Sequence, residues 1–79
     1  MKVEIYGAPW CGYCRQSKKV CEINKVEHTY YDIDADPAIR ARLDERVGSP
    51  VKAIPQIFVD DKLLKGGYSE LCNLIKDLT

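Results

Sequence analysis

The sequence predicts an α/β fold in which one mixed four-stranded sheet packs against three helices. Strand-like and helix-like patterns follow one another in the order strand, helix, strand, helix, strand, strand, helix. Gly, Pro and Asp residues mark the boundaries between these patterns. A length of 79 residues leaves room for one modest core. We therefore expect a single domain over residues 1–79, with a parallel first strand pair followed by an antiparallel hairpin.

The first strand and the first helix flank a pair of cysteines. Residues 2–6 alternate polar and apolar side chains, which predicts a half-buried strand that ends before Gly7. A helical pattern runs from Gly12 to about Lys25, so this helix begins at the cysteines. Its predicted inner face carries Tyr13, Cys14, Val20, Cys21 and Asn24.

The second strand is predicted over residues 28–33, which are rich in β-forming side chains. Asp36 suits a helix N-cap, Pro37 suits the first helical position and Gly48 can close the far end, so the second helix should span residues 37–47. The expected inward stripe is Ile39, Leu43 and Val47. The side chains expected to form solvated surface are Arg40, Arg42, Asp44, Glu45 and Arg46.

The carboxyl-terminal third of the chain predicts a hairpin and a helix. Residues 56–59 form a third strand, residues 60–61 a turn and residues 63–64 a short fourth strand that stops at Gly66. Ser69 can cap the last helix. The apolar face expected for this helix comprises Leu71, Leu74, Ile75 and Leu78.

Composition excludes several classes of function. Twelve basic and twelve acidic side chains leave no net charge, so we expect neither nucleic acid nor an anionic membrane as a partner. The sequence has neither a long apolar run nor a leader-like amino terminus, which predicts a cytoplasmic protein. Cys21 and Cys72 lie within apolar helical patterns, so we interpret Cys21 as a core residue and Cys72 as a partly buried one.

Cys11 and Cys14 form a C-x-x-C pair that is suited to thiol-disulfide exchange. The free amides at a helix amino terminus stabilise a thiolate, so Cys11 is the predicted nucleophile. Cys14 lies one turn inside the helix and can attack a mixed disulfide on Cys11, which makes it the predicted resolving thiol. Positive charge near the pair comes from Arg15, Lys18 and Lys19. A zinc site would need two more ligands, and His28 fits the start of a strand better, so we expect no metal.

Three motifs in this order resemble those of the glutaredoxin family. Cys11-Gly12-Tyr13-Cys14 resembles C-P-Y-C, residues 53–59 (AIPQIFV) resemble T-V-P-Q-I-F-V, and residues 66–69 (GGYS) resemble the family's G-G-Y signature. The resemblance covers nearly the whole chain and is strongest to the bacterial class that donates electrons to ribonucleotide reductase. It implies a thioredoxin fold with strand order 2-1-3-4. It also implies a monomer that uses glutathione to reduce protein disulfides and glutathione mixed disulfides.

The resemblance further implies a glutathione groove beside the cysteines. The backbone of Ile54 would pair with the cysteinyl part of glutathione, next to Pro55 in the cis form. Tyr13 would flank the glutathione sulfur. The amides of Tyr68 and Ser69, after Gly67, would hold the γ-glutamyl carboxylate, because a helix amino terminus is a ready anion site.

Three departures from the family pattern keep alternatives open. Gly12 replaces the family's proline, and some members with a small residue there bridge a [2Fe-2S] cluster between two protomers. Ala8 stands where many relatives carry a lysine that meets the glycyl carboxylate of glutathione. Trp10-Cys11-Gly12 is similar to the W-C-G-P-C motif of thioredoxins. The two alternatives are therefore a [2Fe-2S] cluster-binding glutaredoxin and a thioredoxin-like electron donor that thioredoxin reductase reduces.

Four features favour the glutaredoxin class over thioredoxins. They are Tyr13 in place of the thioredoxin proline, the short length, the Gly66-Gly67-Tyr68 signature and the lack of an acidic residue on the buried side of the first strand. Trp10 is most simply an aromatic lid beside the site or a packing residue.

Overall fold

The computed structural model describes residues 1–78 and contains one four-stranded sheet and three helices. The elements in chain order are β1 (Val3–Gly7), α1 (Gly12–Ile23), β2 (His28–Asp32), α2 (Pro37–Val47), β3 (Gln56–Val59), β4 (Lys62–Leu63) and α3 (Gly67–Leu78). The strand order is β2-β1-β3-β4, with β1 parallel to β2 and antiparallel to β3, and with β3 antiparallel to β4. The predicted element order, strand order and strand pairings are therefore confirmed. Within residues 1–78, every helix is too short or too polar to span a membrane.

The apolar core lies on both faces of the sheet. One cluster brings together β1, β3, α1 and α3 through Val3, Ile5, Cys21, Ile57, Leu64, Leu71 and Ile75. The other brings α2 onto the opposite side through Tyr6, Ile33, Leu43, Val51 and Phe58. All five residues of β1 are buried, so the prediction of a half-buried first strand is wrong. The reason is that β1 is a central strand covered by helices on both sides, which alternation within the strand does not reveal.

Helix α2 has the ends that the sequence predicts. Asp36 adopts an extended conformation and its Oδ1 accepts a hydrogen bond from the Ala38 amide at 2.9 Å. Pro37 occupies the first position, and Gly48 closes the helix in the left-handed conformation with a φ of 91°. The predicted inward stripe is confirmed, because Leu43 is fully buried and Ile39 and Val47 pack against the same cluster.

The prediction that the polar residues of α2 form solvated surface is wrong for Arg46. Its Nη1 donates to Glu4 Oε2 at 3.0 Å and to the Tyr6 hydroxyl at 3.1 Å, and its guanidinium carbon lies 3.8 Å from the centre of the Phe58 ring. Glu4 is only 8% exposed. The argument that strand one carries no buried acidic residue therefore does not hold, because the second buried face of β1 holds Glu4 paired with Arg46.

Two further polar residues of α2 hold the chain segment that follows the helix. Arg40 Nη2 donates to the Val51 carbonyl at 2.6 Å, and Asp44 Oδ1 accepts from the Val51 amide at 2.9 Å. Arg42 and Glu45 are exposed, as predicted.

The inner face of α1 differs from the prediction. Cys14 and Cys21 are buried, but Tyr13 is 62% exposed and Asn24 is exposed at the helix end. Ser17, which the sequence did not single out, is fully buried and its hydroxyl donates to the Tyr13 carbonyl at 2.8 Å. A polar residue can occupy this core position because its hydrogen bond is satisfied inside the helix.

Helix α3 begins at Gly67, three residues earlier than a cap at Ser69 would allow. Glu70 Oε1 instead accepts from the Gly66 amide at 2.9 Å and supports the start of the helix from inside its first turn. Leu71 and Ile75 are buried as predicted, whereas Leu78 at the end of the helix is 62% exposed.

Candidate active site

Cys11 is the N-cap residue of α1. Its backbone is extended, with φ −91° and ψ 115°, and its Sγ accepts a hydrogen bond from the Cys14 amide at 3.3 Å. The thiol also lies 3.8 Å from the Ile54 carbonyl oxygen. Cys11 is partly exposed, so the structure places one sulfur at the positive end of a helix where a substrate can reach it.

Cys14 lies one turn inside α1 and is fully buried. Burial, with a smaller contribution from the side chain of Cys11, raises the pKa of the Cys14 thiol to about 12. The Ala8 backbone and the Tyr30 hydroxyl act in the opposite direction without cancelling the effect of burial. Cys14 is therefore a protonated thiol at neutral pH, and the two cysteines differ strongly in accessibility.

The other two cysteines lie away from the pair. Cys21 is fully buried in the core cluster between the sheet and α3, and Cys72 is partly buried in α3, as the sequence predicts. Burial raises the pKa of the Cys21 thiol to about 11, with a smaller contribution from Cys72. Both residues are free thiols.

A groove of about 870 Å³ runs along α1 and is also lined by Pro9 and Tyr30. Its lining includes the exposed cations Arg15, Lys18 and Lys19. Lys18 Nζ lies 5.5 Å from the centre of the Tyr30 ring. The three basic side chains that the sequence places near the motif therefore lie in this groove along α1, together with the acidic side chain of Glu22.

A second groove, of about 330 Å³, contains most of the residues expected to bind glutathione. Five of the six line it: Tyr13, Pro55, Gly67, Tyr68 and Ser69. The rings of Tyr13 and Tyr68 lie 5.7 Å apart across it. Ile54 lines a separate small cavity next to Trp10, although its carbonyl oxygen faces Cys11.

The peptide bond between Ile54 and Pro55 is cis, as the resemblance implied. Lys65 also lines the groove, and sequence reasoning missed it even though it directly precedes the Gly66-Gly67 pair. Ala8 is fully buried, with its carbonyl accepting from the Cys11 amide at 3.1 Å. A cation for the groove is therefore available from Lys65 rather than from position 8.

Trp10 is an exposed residue beside the site. Trp10 is 70% exposed, and its Nε1 donates a hydrogen bond to Asp34 Oδ2 at 2.7 Å. The interpretation of Trp10 as a packing residue is wrong, because this hydrogen bond holds the indole on the surface next to the loop after β2.

The described residues do not form a metal site. Residues 1–78 contain no cluster of three or more His, Cys, Asp or Glu side chains with a geometry suited to a metal ion. His28 Nδ1 lies 2.9 Å from the Val26 carbonyl oxygen at the start of β2. A [2Fe-2S] cluster would find only Cys11 as an accessible thiol at this site, so one chain does not fit that group by itself.

Comparison with known proteins finds similarity to glutaredoxins over most of this chain. The glutaredoxin family model matches residues 3–64. A glutaredoxin of Haemophilus influenzae is 38% identical over 82 residues, which cover 98% of this chain and 93% of the relative. The structure of reduced Escherichia coli glutaredoxin is 32% identical with a TM-score of 0.75, covering 98% of this chain and 95% of the other. A thioredoxin-like protein is 26% identical with a TM-score of 0.76, over 92% and 97% of the two chains.

Proposed function

The chain belongs to the glutaredoxin family of thiol-disulfide oxidoreductases, and we propose that Cys11 and Cys14 reduce protein disulfides and glutathione mixed disulfides with glutathione as the electron donor. The difference in burial between the two sulfurs carries this proposal. Cys11 is accessible at a helix amino terminus, whereas Cys14 is fully buried and its amide binds the Cys11 sulfur. An accessible nucleophile next to a sheltered second thiol is the arrangement that two-step disulfide exchange requires.

The proposed reaction has two exchange steps and a return step. The Cys11 thiolate attacks a substrate disulfide, so that a mixed disulfide forms and one substrate sulfur leaves as a thiolate. The Cys14 thiol then loses its proton and attacks the Cys11 sulfur, which releases the second substrate sulfur. Two glutathione molecules reduce the resulting Cys11–Cys14 disulfide and become glutathione disulfide.

We assign glutathione to the groove lined by Tyr13, Pro55, Gly67, Tyr68 and Ser69. Tyr68 and Ser69 lie in the first turn of α3, where backbone amides have no partner within the helix and can bind a carboxylate. Lys65 offers a positive charge for the other carboxylate. The carbonyl of Ile54, next to Cys11, is available to the cysteinyl backbone of glutathione.

The proposed partners are proteins that carry a reducible disulfide. Ribonucleotide reductase is the first candidate, because the motifs resemble the bacterial glutaredoxins that supply it with electrons. We further propose that the protein acts in the cytoplasm as a monomer and that residues 1–79 form a single domain.

A second candidate is a thioredoxin-like electron donor that thioredoxin reductase regenerates. The observation in its favour is the structural similarity to a thioredoxin-like protein, together with the Trp10-Cys11-Gly12 motif. The two candidates share the reaction of Cys11 with substrate and differ only in the reductant.

A turnover assay with two arms separates the candidates. One arm supplies glutathione, glutathione reductase and NADPH, and the other supplies thioredoxin reductase and NADPH. We expect NADPH consumption in the glutathione arm. Turnover only with thioredoxin reductase would show that the proposed electron donor is wrong.

Single cysteine variants test the two proposed roles. Cys11→Ser should abolish all turnover, because no accessible thiol remains at the start of α1. Cys14→Ser should keep the removal of glutathione from a mixed disulfide and lose the reduction of protein disulfides. Cys72→Ser is the matched control and should keep both activities. Residual turnover by the Cys11→Ser protein would contradict the assignment of the nucleophile.

A further inference from the structure

The buried sulfur of Cys14 has a neighbour that the proposed reaction does not use, the side chain of Tyr30 in β2. Tyr30 is partly buried, and its hydroxyl donates a hydrogen bond to the Ala8 carbonyl at 3.3 Å. Gly7 reveals how tightly these groups are arranged, because a Cβ added there would lie 2.6 Å from Cys14 Sγ and 2.8 Å from the Tyr30 hydroxyl oxygen. The sulfur and the hydroxyl therefore border the same small space, which only a glycine at position 7 leaves open.

We propose that the Tyr30 hydroxyl donates a hydrogen bond to the Cys14 thiolate and thereby supports the resolving step. This inference rests on the two-step reaction proposed above. A phenol O–H rotates about its C–O bond, so it can donate to Ala8 while Cys14 is protonated and to the sulfur once the proton has left. Hydrogen bonds to a charged acceptor are stronger than those between neutral groups, which favours this change of partner.

The environment of Cys14 explains why such a donor matters. Cys14 is fully buried, so a thiolate there is poorly solvated and needs a hydrogen bond from the protein. Burial raises the pKa of Cys14, and Tyr30 is one of the groups that oppose this rise. Burial and the nearby cysteines also raise the pKa of Tyr30 to about 12, so its phenol keeps its proton at neutral pH and remains a donor.

Cys14 carries negative charge in both directions of the exchange. In the resolving step, its thiol gives a proton to solvent, its sulfur bonds to Cys11, and the electron pair of the broken bond leaves on the substrate sulfur. In the return step, a glutathione thiolate bonds to Cys11 and the electron pair of the broken disulfide moves to Cys14. A donor at Tyr30 would lower the free energy of the charged sulfur in each case.

Tyr30→Phe tests the proposal because it removes only the hydroxyl and keeps the ring beside Lys18. Tyr31→Phe is the matched control, since Tyr31 is the next residue of β2 and its ring stacks on Tyr6 at 4.7 Å. Each protein is first reduced with dithiothreitol and then mixed with insulin in a single turnover, so the result does not depend on the physiological electron donor. Acid quenching and mass spectrometry follow the mixed disulfide on Cys11.

We expect Tyr30→Phe to slow resolution about three- to tenfold, so that the mixed disulfide accumulates. The loss of a hydrogen bond to a charged sulfur sets this magnitude, and the higher nucleophilicity of a more basic thiolate partly offsets it. Tyr31→Phe should resolve at the wild-type rate. Wild-type resolution by Tyr30→Phe would overturn the proposal.

A second background separates this role from general support of the fold. In Cys14→Ser protein, which has no resolving sulfur, we expect Tyr30→Phe to leave the attack of Cys11 on a glutathionylated peptide unchanged. An equal slowing of that attack would overturn the proposal, because it would show that the hydroxyl maintains the structure around the whole site. Failure of the glutathione arm in the turnover assay would count against the proposed electron donor alone.

Discussion

Two thiols of this protein, Cys14 and Cys21, lie fully buried in surroundings that oppose ionisation. Burial raises their pKa values from 9.0 to about 12 and about 11, respectively. In the proposed reaction, Cys14 can attack only after it has given up a proton in an unfavourable environment, which would keep the pair reduced until a mixed disulfide forms on Cys11. The same burial couples thiol ionisation to the stability of the fold.

The reduced protein should lose stability at alkaline pH for this reason. Below pH 9.0 both thiols are protonated in the folded and unfolded chains, and their contribution to stability is fully present. Above that pH the unfolded chain releases protons that the folded chain keeps, so stability falls until the pH passes the folded pKa values. Each thiol should lower the free energy of unfolding by about 1.4 kcal/mol per pH unit in this window.

Urea unfolding in the presence of a reductant between pH 8 and pH 11 measures this decline. Cys21→Ala should show a shallower decline than the wild type, whatever its stability at pH 8, because one titrating thiol is missing. Parallel declines in the two proteins would show that Cys21 does not ionise differently on unfolding.

At the scale of single elements, α1 and α2 have similar N-caps, but the capping atom differs between them. Each has an extended N-cap residue whose side chain accepts a hydrogen bond from an amide of the first turn. In α2 the acceptor is the carboxylate of Asp36, and the bond stabilises the helix. In α1 the acceptor is the sulfur of Cys11, so the reactive atom takes the place of a capping group.

Replacing the cap of α2 should therefore affect stability without affecting chemistry. We expect Asp36→Ala to lower the free energy of unfolding by about 1 kcal/mol, because the Ala38 amide loses its partner. Asp36→Asn keeps an acceptor oxygen and should lose only a small part of that amount. Urea unfolding at neutral pH measures both variants, and equal losses in the two would contradict a capping role.

At the scale of the whole molecule, the central strand β1 joins two cores. Its apolar side chains pack against α1 and α3 on one face, while Tyr6 and Glu4 meet α2 on the other. Arg46 connects α2 to this second face by pairing with Glu4 and covering the ring of Phe58. The sheet is thus held between two helical layers, with the reactive helix α1 on one side only.

Removal of the Arg46 side chain should lower the stability of the fold. We expect Arg46→Ala to lower the free energy of unfolding by about 2 to 4 kcal/mol, because Glu4 would stay buried without a charged partner. The double variant Glu4→Leu/Arg46→Met should recover more than half of that loss, since it removes both charges and keeps apolar volume. A double-mutant cycle by urea unfolding measures the coupling, and strictly additive losses would show that the pair does not interact.

Local signals in the sequence determined the element order, the ends of α2 and the position of Cys11 at a helix start. Caps, turns and periodicity act over a few residues, so they can be interpreted without knowing what lies on the other side of the chain. The three motifs likewise pointed to residues that line the proposed glutathione groove, because each motif is contiguous and the family resemblance relates them to one another.

Contacts between distant segments determined the burial of Glu4 and the surroundings of Cys14. Only the tertiary structure contains these contacts. Glu4 is buried because Arg46, 42 residues later in the chain, pairs with it from α2 on the same face of the sheet. Tyr30 borders the sulfur of Cys14 because β2 pairs in parallel with β1. Patterns within a strand or helix report which side chains share a face, but not what covers that face. For this reason the two-sided burial of β1 and the surroundings of Cys14 could not be predicted from the sequence.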